Sequence, residues 1–447
     1  VGKETKTVGK EVISSKENKY ILTSLIRSTS SADLIFSKIY GPAGVSFWLD
    51  SSSADGATTK NARFSYMGCM NGPHSHLLVT DEDGNLTKTM PDGQSIELST
   101  EIEWVDEIKN NVDNWKNAKC ESIPKELLFR GGYVGLLGYE AWHWLGPTST
   151  ATELKERRKE NKSKKKMGEK EQQNEEEQDV LPTSSFLFAD RIAVFDSHQP
   201  NTVRLLCLCN DATKTSGEQW MQRMKSMVTH IDPSSSTSSS TTNTSTTNNV
   251  PPVQFASDRN ESRYLSNIDM IRDHLDQGES YEVCLTTAFR TQKNDHTQSG
   301  VLPIPPLPLY MTLRGINPAP FSAYLRIDPS RLTCIPNNEK EDAMGKNGFA
   351  ICCSSPERFL KVTNNSTIEV CPIKGTAARN LINAELDAEA GLALSNSEKD
   401  QSENLMIVDL MRNDLSRVCV PASVRVPKLM ELQTFASVHH LTSTIIG

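Results

Sequence analysis

CPIKGTAARN, residues 371–380, is the most informative stretch of this chain, because it places a lysine between a strand end braced by a proline and a Gly-Thr turn. Pro372 fixes its own φ, and Gly375 lets the backbone approach a ligand closely. Thr376 adds a hydroxyl beside backbone N–H groups, so the turn can hold a small anion. We interpret Lys374 as a candidate nucleophile, since partial desolvation would keep some of its amine neutral. For so short a motif, the alternative is an exposed loop lysine.

The sequence upstream places a glutamate at a second turn. CCSSPERFLKV, residues 352–362, begins as a strand-like apolar run. Ser354, Ser355 and Pro356 then favour a turn or a helix start. Glu357 follows just inside that turn.

A long helical pattern lies downstream, NAELDAEAGLALSNSEKDQSENLMIVDLMRNDLSRVC. Its apolar residues recur at helical spacing, as in Met406, Ile407, Leu410 and Met411. Glu403 lies one turn from this apolar face, where a carboxylate needs a partner or a metal. The alternative for Glu403 is an ion pair with Lys399, four residues earlier on the helix.

Four segments in this order resemble the chorismate-binding enzymes, a family that includes anthranilate, isochorismate, salicylate and aminodeoxychorismate synthases. The segments are SPERF, PIKGT, SEKDQSENLMIVDLMRNDLSRVC and VHHLTSTIIG. Five upstream segments extend the likeness, namely FWLDSSS (47–53), ARFSYMG (62–68), RGGYVGLLGYE (130–140), GESYEVCLTT (278–287) and NPAPFSAYL (317–325). The resemblance implies an α+β fold of the anthranilate synthase component I type, with two stacked, mostly antiparallel sheets flanked by helices.

The lysine of PIKGT separates the branches of this family. It resembles the aminodeoxychorismate synthase type, whereas anthranilate synthases carry alanine there. Isochorismate and salicylate synthases have a water-activating lysine on the strand that aligns with YEVCLTT, where this chain has Glu282. The resemblance therefore implies replacement of the C4 hydroxyl of chorismate by an amino group from ammonia. The product, 4-amino-4-deoxychorismate, is the precursor of p-aminobenzoate and folate.

The resemblance also implies catalytic roles. Lys374 would attack ring carbon C2 while the C4 hydroxyl departs, and Glu357 would protonate that leaving group as a general acid. Glu403 would be one ligand of a Mg²⁺ ion that holds the ring carboxylate. This ion prefers a few hard oxygen ligands and keeps waters.

Further positions are implied to contact the substrate. Gly375 and Thr376 would do so through N–H and hydroxyl groups, and His440 through its ring. The adjacent His439 shows how little a histidine indicates alone. Ser443 is a weaker candidate for the same site.

Related proteins also hold tryptophan in a pocket between the sheets. The matching positions in this chain are Asp50, Ser51, Asn317, Pro318 and Pro320. NPAP is explained equally well as a rigid turn. Both interpretations stay open.

The resemblance implies that the chain lacks the last segments that relatives carry. They continue past the H-L-x-S motif with a second metal-binding glutamate and an arginine that grips substrate carboxylates, whereas this sequence runs from Val1 to Gly447. The resemblance therefore implies a fragment that is inactive alone.

We predict four segments along the chain. Residues 1–18 are a linker of the kind that follows an upstream glutaminase domain. Residues 19–232 form an amino-terminal region with a charged surface insertion at 152–179. A Ser/Thr-rich linker spans 233–252, and residues 253–447 form the chorismate-binding region. FWLD, RLLCLC and YEVCLTT are predicted strands, and the sequences around His274 and Leu405 are predicted helices.

Composition limits the possible partners and compartments. The formal net charge is −8 and the pI is about 5.7, which argues against a broad nucleic-acid-binding surface. Ten cysteines without CxxC spacing argue against a zinc set and favour the reducing cytoplasm or plastid stroma. No apolar run reaches the length of a membrane span, and no signal peptide is visible.

Two other functions stay open. One is the large subunit of an anthranilate synthase, against which Lys374 argues. The other is a non-catalytic scaffold that binds a glutamine amidotransferase, against which the joint presence of Glu357, Lys374 and Glu403 argues. In each case the resemblance implies a glutaminase partner, either fused or separate.

Overall fold

The computed structural model describes residues 18–51, 63–81, 84–98, 104–120, 123–141, 181–232, 255–291, 305–331, 348–435 and 437–447. The predicted insertion at 152–179 and the linkers at 1–18 and 233–252 lie outside these residues, apart from Asn18. The chain divides into two compact units. The first comprises residues 1–236 and 309–447, and the second comprises residues 237–308.

The first unit contains an eight-stranded sheet. In spatial order its strands are β15 (Phe349–Ser355), β14 (Phe321–Ile327), β2 (Val45–Asp50), β3 (Phe64–Cys69), β10 (Arg191–Asp196), β11 (Thr202–Asn210), β1 (Lys19–Arg27) and β7 (Lys119–Cys120). All neighbours are antiparallel except β1 and β7. FWLD lies in β2 and RLLCLC in β11, so both of these predicted strands are confirmed.

A second sheet of the same unit has five antiparallel strands. They are β6 (Ser95–Glu97), β5 (Leu86–Thr89), β4 (His76–Thr80), β9 (Ser184–Ala189) and β8 (Gly132–Leu137), in spatial order. Phe47 and Leu206 of the eight-stranded sheet share one core cluster with Leu77 and Leu187 of this sheet. Apolar burial between the two sheets is therefore the main source of their stability.

A third sheet carries the PIKGT and VHHLTSTIIG motifs. Its order is β16 (Lys361–Val362), β17 (Ile368–Val370), β20 (Val438–Ile446) and β18 (Ile373–Ala378), with β19 (Arg425–Thr434) also paired to β20. Two later helices pack against β18 and β20. The predicted fold of stacked, mostly antiparallel sheets is confirmed, although the structure has several sheets rather than two.

The two helices of this layer begin at side-chain caps. Helix α6 (Ala384–Ser395) starts after Asn383, whose Oδ1 accepts the amides of Glu385 and Leu386, and α7 (Glu398–Ser416) starts after Ser397, whose Oγ accepts the amide of Asp400. We call β16 to β20 with α6 and α7 the carboxy-terminal layer. The predicted helix around Leu405 is α7.

Several helices complete the first unit. They are α1 (Ala32–Ile35), a π-turn at Phe36–Tyr40, α2 (Trp104–Trp115), a short helical turn at Tyr139–Ala141, and α3 (Lys214–His230). Helix α3 contacts β1 and β11. Its buried face includes Trp220, Met224 and Val228.

The second unit is small. It contains β12 (Phe255–Ser257) paired with β13 (Phe289–Thr291), and α4 (Glu261–Asp276), which confirms the predicted helix around His274. The predicted strand YEVCLTT is wrong. Residues 281–288 have no ladder, and Tyr281 and Val283 are exposed. A segment with an alternating pattern forms a strand only where an adjacent strand pairs with its backbone.

Helix α5 (Pro306–Ile316) leads into β14. Within the described residues, no helix combines the length and the apolar character that a membrane crossing requires.

Candidate active site

Lys374 lies in a β-bulge of β18. Ile373 faces Thr442 of β20 and Thr376 faces His440, so β18 carries one extra residue between these pairs. Gly375 has a φ of +88°, and a Cβ built there would lie 3.0 Å from the Cβ of Asp400 on α7. Glycine is therefore required both by the backbone conformation and by the close approach of the helix. The bulge leaves Lys374 half-buried.

Glu357 reaches the same bulge from the turn after β15. Its Oε1 accepts the amide N–H of Ile373 at 3.3 Å. The Glu357 residue is exposed, yet desolvation by the protein atoms around its carboxylate raises its pKa, while the Ile373 amide and the charge of Lys374 lower it. The structure thus brings the two predicted catalytic side chains close enough for their charges to interact. A carboxyl that keeps its proton to a higher pH suits a general acid.

His440 and Thr376 form a pair across β18 and β20. The Nδ1 atom of His440 lies 2.9 Å from Thr376 Oγ1, and the ring also hydrogen-bonds the backbone of Gly375. Burial lowers the pKa of His440. The imidazole is therefore neutral near pH 7 and can donate or accept a hydrogen bond.

A cavity of about 510 Å³ opens beside these strands. Thr442, Thr444 and Ile446 of β20 line it, as do Glu357 and Ile373. Because alternate residues of a strand share a face, His440 belongs to the same face of β20 as the threonines. The volume is in the range of small-molecule sites.

Ser443 lies on the opposite face of β20. Its hydroxyl donates to Oδ1 of Asn404 at 2.5 Å and accepts the amide of Met430 at 2.9 Å. Asn404 is fully buried and donates to the carbonyl of Leu441 at 3.2 Å. We assign Ser443 to the packing of α7 on β20 rather than to the cavity.

Glu403 lies on α7, three residues after Asp400, on the part of the helix that approaches Gly375. Its carboxylate is 3.8 Å from Nζ of Lys399, and its side chain is 42% exposed. Within the described residues, no three His, Cys, Asp or Glu side chains cluster closely enough to hold a metal. One accessible carboxylate fits an ion that keeps most of its waters, as Mg²⁺ does, and does not fit an ion held by protein groups alone.

Asp50 and Ser51 lie at the end of β2, next to the start of β14, where Ser322 pairs with Asp50. The buried carboxylate of Asp50 accepts hydrogen bonds from Arg314 Nε at 2.5 Å and from the hydroxyl of Tyr310 at 3.3 Å. Burial raises the pKa of Asp50, and Arg314 opposes that shift. The chain's own cation therefore already neutralises this carboxylate.

Of the other positions predicted to bind tryptophan, some make hydrogen bonds within the protein and one lines the cavity. The hydroxyl of Ser51 donates to the carbonyl of Phe64 at 2.8 Å, and the carbonyl of Asn317 accepts from Ser354 Oγ at 2.5 Å. Pro318 is half-buried, and Pro320 is buried and lines the cavity. The structure thus brings the two segments side by side, while tryptophan binding stays a prediction.

Arg358 is a cavity residue that was not predicted from the sequence. It follows Glu357, its guanidinium pairs with Glu369, and it lies 5.9 Å from the ring centroid of Phe321. Its side chain is 15% exposed. The sequence offered one indication of this residue, a cation directly before the apolar pair Phe359 and Leu360. An arginine that is buried among apolar residues needs a partner.

Comparison with known proteins gives one family for most of the chain. The family described as chorismate binding enzyme matches residues 76–447. A protein of Oryza sativa subsp. japonica named probable aminodeoxychorismate synthase, chloroplastic, is 30% identical over 95% of this chain and 44% of its own length. The aminodeoxychorismate synthase, chloroplastic, of Arabidopsis thaliana is 32% identical over 92% of this chain and 40% of its own length.

Component 1 of aminodeoxychorismate synthase from Escherichia coli (strain K12) is 32% identical over 72% of this chain and 54% of its own length. The chain thus spans about half the length of these relatives, or less. Among solved structures, anthranilate synthase component I from Streptococcus pneumoniae TIGR4 superimposes with a TM-score of 0.54 at 20% identity, over 86% of this chain and 68% of that one. This superposition shows a shared fold.

Proposed function

Because this chain belongs to the chorismate-binding enzyme family, we propose that it forms the chorismate-converting part of an aminodeoxychorismate synthase. The reaction replaces the C4 hydroxyl of chorismate by an amino group and releases water. The observation that carries the proposal is Lys374, held in a bulge of β18 within charge-interaction range of Glu357. The three relatives named aminodeoxychorismate synthase support the same branch.

In the first half of this reaction, the neutral amine of Lys374 attacks ring carbon C2. The ring double bonds shift and the C4–O bond breaks. Glu357 donates its proton to the departing oxygen, which leaves as water. The raised pKa of Glu357 favours this role because the carboxyl keeps its proton closer to neutral pH.

In the second half, ammonia adds at C4. The double bonds shift back, the C2–N bond to Lys374 breaks, and one proton of the incoming nitrogen returns to Glu357. The enzyme is then restored, and the net change is chorismate plus ammonia to 4-amino-4-deoxychorismate plus water. Dividing one difficult displacement into two easier steps is the benefit of a covalent nucleophile.

The surrounding residues bind and orient the substrate in this proposal. Thr376 and His440 offer a hydroxyl and a neutral imidazole on one face of the sheet, and the backbone N–H of Gly375 would be a further donor to the substrate. Glu403 is the described residue that would hold Mg²⁺. When bound, this ion supplies positive charge to the ring carboxylate.

Ammonia would come from a glutamine amidotransferase, fused or separate. The name "component 1" of the Escherichia coli relative implies a partner component for that protein. For the present chain we propose the same arrangement, in the cytoplasm or in the plastid stroma. Both plant relatives are named chloroplastic.

Product identification tests this function. The full-length protein is incubated with chorismate, Mg²⁺ and ammonium, and the products are separated by chromatography before and after addition of a lyase that converts aminodeoxychorismate to p-aminobenzoate. We expect aminodeoxychorismate. Anthranilate would place amination at C2 and contradict the role of Lys374, isochorismate would mean that water replaces ammonia, and the absence of any product would favour a scaffold.

Withholding ammonium tests the covalent step separately. The adduct should then accumulate, and intact-protein mass spectrometry should show an increase equal to chorismate minus water. Peptide mapping should place this increase on Lys374. Turnover without any such adduct would contradict the covalent route and leave the product assignment intact.

A further inference from the structure

The two adjacent histidines of β20 point to opposite faces of the sheet. His440 faces Thr376, whereas His439 faces α6 and is 4% exposed. Nε2 of His439 lies 3.1 Å from Oδ1 of Asp387 on α6. A carboxylate can only accept, so this nitrogen carries the proton.

Asp387 collects donors from three segments. Nε of Arg379 lies 2.9 Å from both carboxylate oxygens, and the amide of Asn380 donates at 2.8 Å. Together with His439, these groups fill most of the acceptor sites of the carboxylate. The bonds from Arg379 are the main reason why the pKa of Asp387 is about 2.

The same groups hold the connection between β19 and β20. Nδ1 of His439 lies 2.9 Å from Oγ1 of Thr434. Arg379 donates from Nη1 to the carbonyl of Phe435 at 2.6 Å and from its amide to the carbonyl of Ser437 at 3.1 Å. One carboxylate on α6 therefore fixes both ends of this connection.

The connection leads directly to the face of β20 that carries His440. The ring of Phe435 packs edge-on against His440 with 5.3 Å between centroids, and Phe435 lines the cavity. Arg379 also follows the last residue of β18, the strand that carries Thr376. Movement of this connection would therefore displace His440 relative to Thr376.

We propose that Arg379, Asp387 and His439 form a positioning network that sets the geometry of His440 against Thr376 and Gly375 for binding of chorismate. The link to chorismate rests on the function proposed above. None of the three residues needs to touch the substrate. Their effect passes through the 2.9 Å contact between His440 and Thr376, and a displacement of about 1 Å in such a site is enough to weaken it greatly.

A purely structural role is the competing explanation. It predicts that removing the network lowers the melting temperature but leaves the hydrogen bond of His440 and the chorismate affinity unchanged in the folded protein. The two explanations differ in measurements made well below the melting temperature.

The test uses Asp387→Asn in the full-length protein. Long-range ¹H–¹⁵N spectra of the histidine rings, assigned with His440→Ala, report the hydrogen bonding of His440 without substrate. We expect the Nδ1 resonance of His440 to shift and the Kd for chorismate, measured by calorimetry, to rise about tenfold. Asp113→Asn is the matched control, because Asp113 forms an exposed pair with Lys116 at 3.2 Å and should change neither.

A double-mutant cycle identifies the route of the effect. If Asp387 acts through His440, Asp387→Asn combined with His440→Ala should bind chorismate no more weakly than His440→Ala alone. Additive losses would overturn the proposal. Thr434→Val removes a single exposed partner of His439 and gives the same readouts in milder form should Asp387→Asn fail to fold.

Failure of this inference is distinguishable from failure of the proposed function. A product other than aminodeoxychorismate leaves the spectra and the binding cycle valid. If the unaltered protein does not bind chorismate, the proposed function fails, while the shift of the His440 resonance still decides whether the network positions that ring. An unchanged His440 resonance in folded Asp387→Asn overturns the network.

Discussion

The two stacked amino-terminal sheets and the carboxy-terminal layer bury their side chains differently. Thirteen buried residues of the described chain form one apolar core between the sheets, whereas the apolar core of the layer has four, Val370, Val408, Leu415 and Ile445. The layer is instead linked by polar contacts, such as those of Asn404 and Asp387. The first region thus has the larger apolar core, and the layer adds specific hydrogen bonds between its helices and its strands.

One carboxylate from each region shows the same difference. Asp190, at the turn between β9 and β10, is 1% exposed, and burial raises its pKa to about 6. Its Oδ2 accepts the amide of His74 at 2.9 Å. Asp387 of the layer has a pKa of about 2 because Arg379 and its neighbours donate to it. Burial disfavours the ionised carboxylate of Asp190 in the first region. In the layer, hydrogen-bond donors stabilise the ionised carboxylate of Asp387.

The largest expected effect is the loss of chemistry from the layer without a loss of its fold. Lys374→Ala removes the proposed nucleophile and should lower kcat by about 1,000-fold or more. The melting temperature should change little, because the side chain lies in a bulge rather than in the core. Initial rates with ammonium as the nitrogen source measure this, with Lys361→Ala on β16 as the control. Turnover within a factor of ten of the unaltered protein would sink the covalent role.

The second largest expected effect is the loss of stability when a leucine is shortened in each of the two apolar cores. Leu187→Ala, in the core between the sheets, should lower the free energy of unfolding by about 4 kcal/mol, and Leu415→Ala in the layer by about 2 kcal/mol. The smaller value follows from fewer apolar neighbours around Leu415. Urea unfolding measures both, with the exposed Leu128→Ala as the control near zero. Equal losses would mean that the layer is packed as tightly as the sheets.

The buried aspartate of the amino-terminal region should make stability depend on pH. The pKa of Asp190 is about 6 in the folded protein, and its usual value is 3.8. The protonated carboxyl therefore contributes to the free energy of unfolding, and this contribution is fully present below pH 4 and is lost as pH rises through 6. Asp190→Asn should therefore raise the free energy of unfolding at pH 8 by about 3 kcal/mol. Unfolding curves from pH 4 to 8 measure this.

Asp106→Asn, on the exposed side of α2, is the control for this pH dependence. A loss of stability in Asp190→Asn at pH 8 would contradict the prediction, because it would mean that the ionised carboxylate stabilises the fold.

The proposed acid of the layer should control the pH dependence of activity. Glu357→Gln should lower kcat by about 100-fold. In the unaltered protein, activity should fall as pH rises through the raised pKa of Glu357, because the proton donor is lost. That alkaline limb should be absent from the variant. Glu385→Gln on the exposed start of α6 is the control, and a variant that keeps the limb would assign it to another group.

The smallest expected effect concerns the metal. Glu403→Gln should raise the Mg²⁺ concentration for half-maximal activity about tenfold. The free energy of unfolding should change by less than about 0.5 kcal/mol, because the pair with Lys399 is exposed and 3.8 Å long. Glu398→Gln is the control on the same helix. An unchanged Mg²⁺ requirement would leave Glu403 as the surface ion pair that its contact with Lys399 suggests.

The sequence predicted the local parts of the site better than its long-range parts. Lys374, Gly375 and Thr376 lie in one motif, so their proximity follows from the chain itself. The pairing of Thr376 with His440 depends on the register of β18 and β20, which the motif order indicates without fixing. The contact of Glu357 with the Ile373 amide likewise requires the fold.

Other features were missed because pattern analysis does not show tertiary partners. Asp387 and Arg379 read as ordinary charged residues of a helix start and a turn, and His439 gave no signal that separated it from His440. YEVCLTT was predicted to be a strand from its alternation and from the family strand with which it aligns. Whether such a segment becomes a strand depends on a neighbouring strand, which periodicity does not report.

The strand order of the eight-stranded sheet bears on how the protein is made. β2 ends at Asp50, yet its neighbour β14 begins only at Phe321 and the edge strand β15 only at Phe349. During translation, β2 therefore presents an open hydrogen-bonding edge until the ribosome has released residues well beyond 327. We expect the nascent chain to depend on chaperones over that interval, and the late arrival of β14 to make closure of the sheet a slow step of folding.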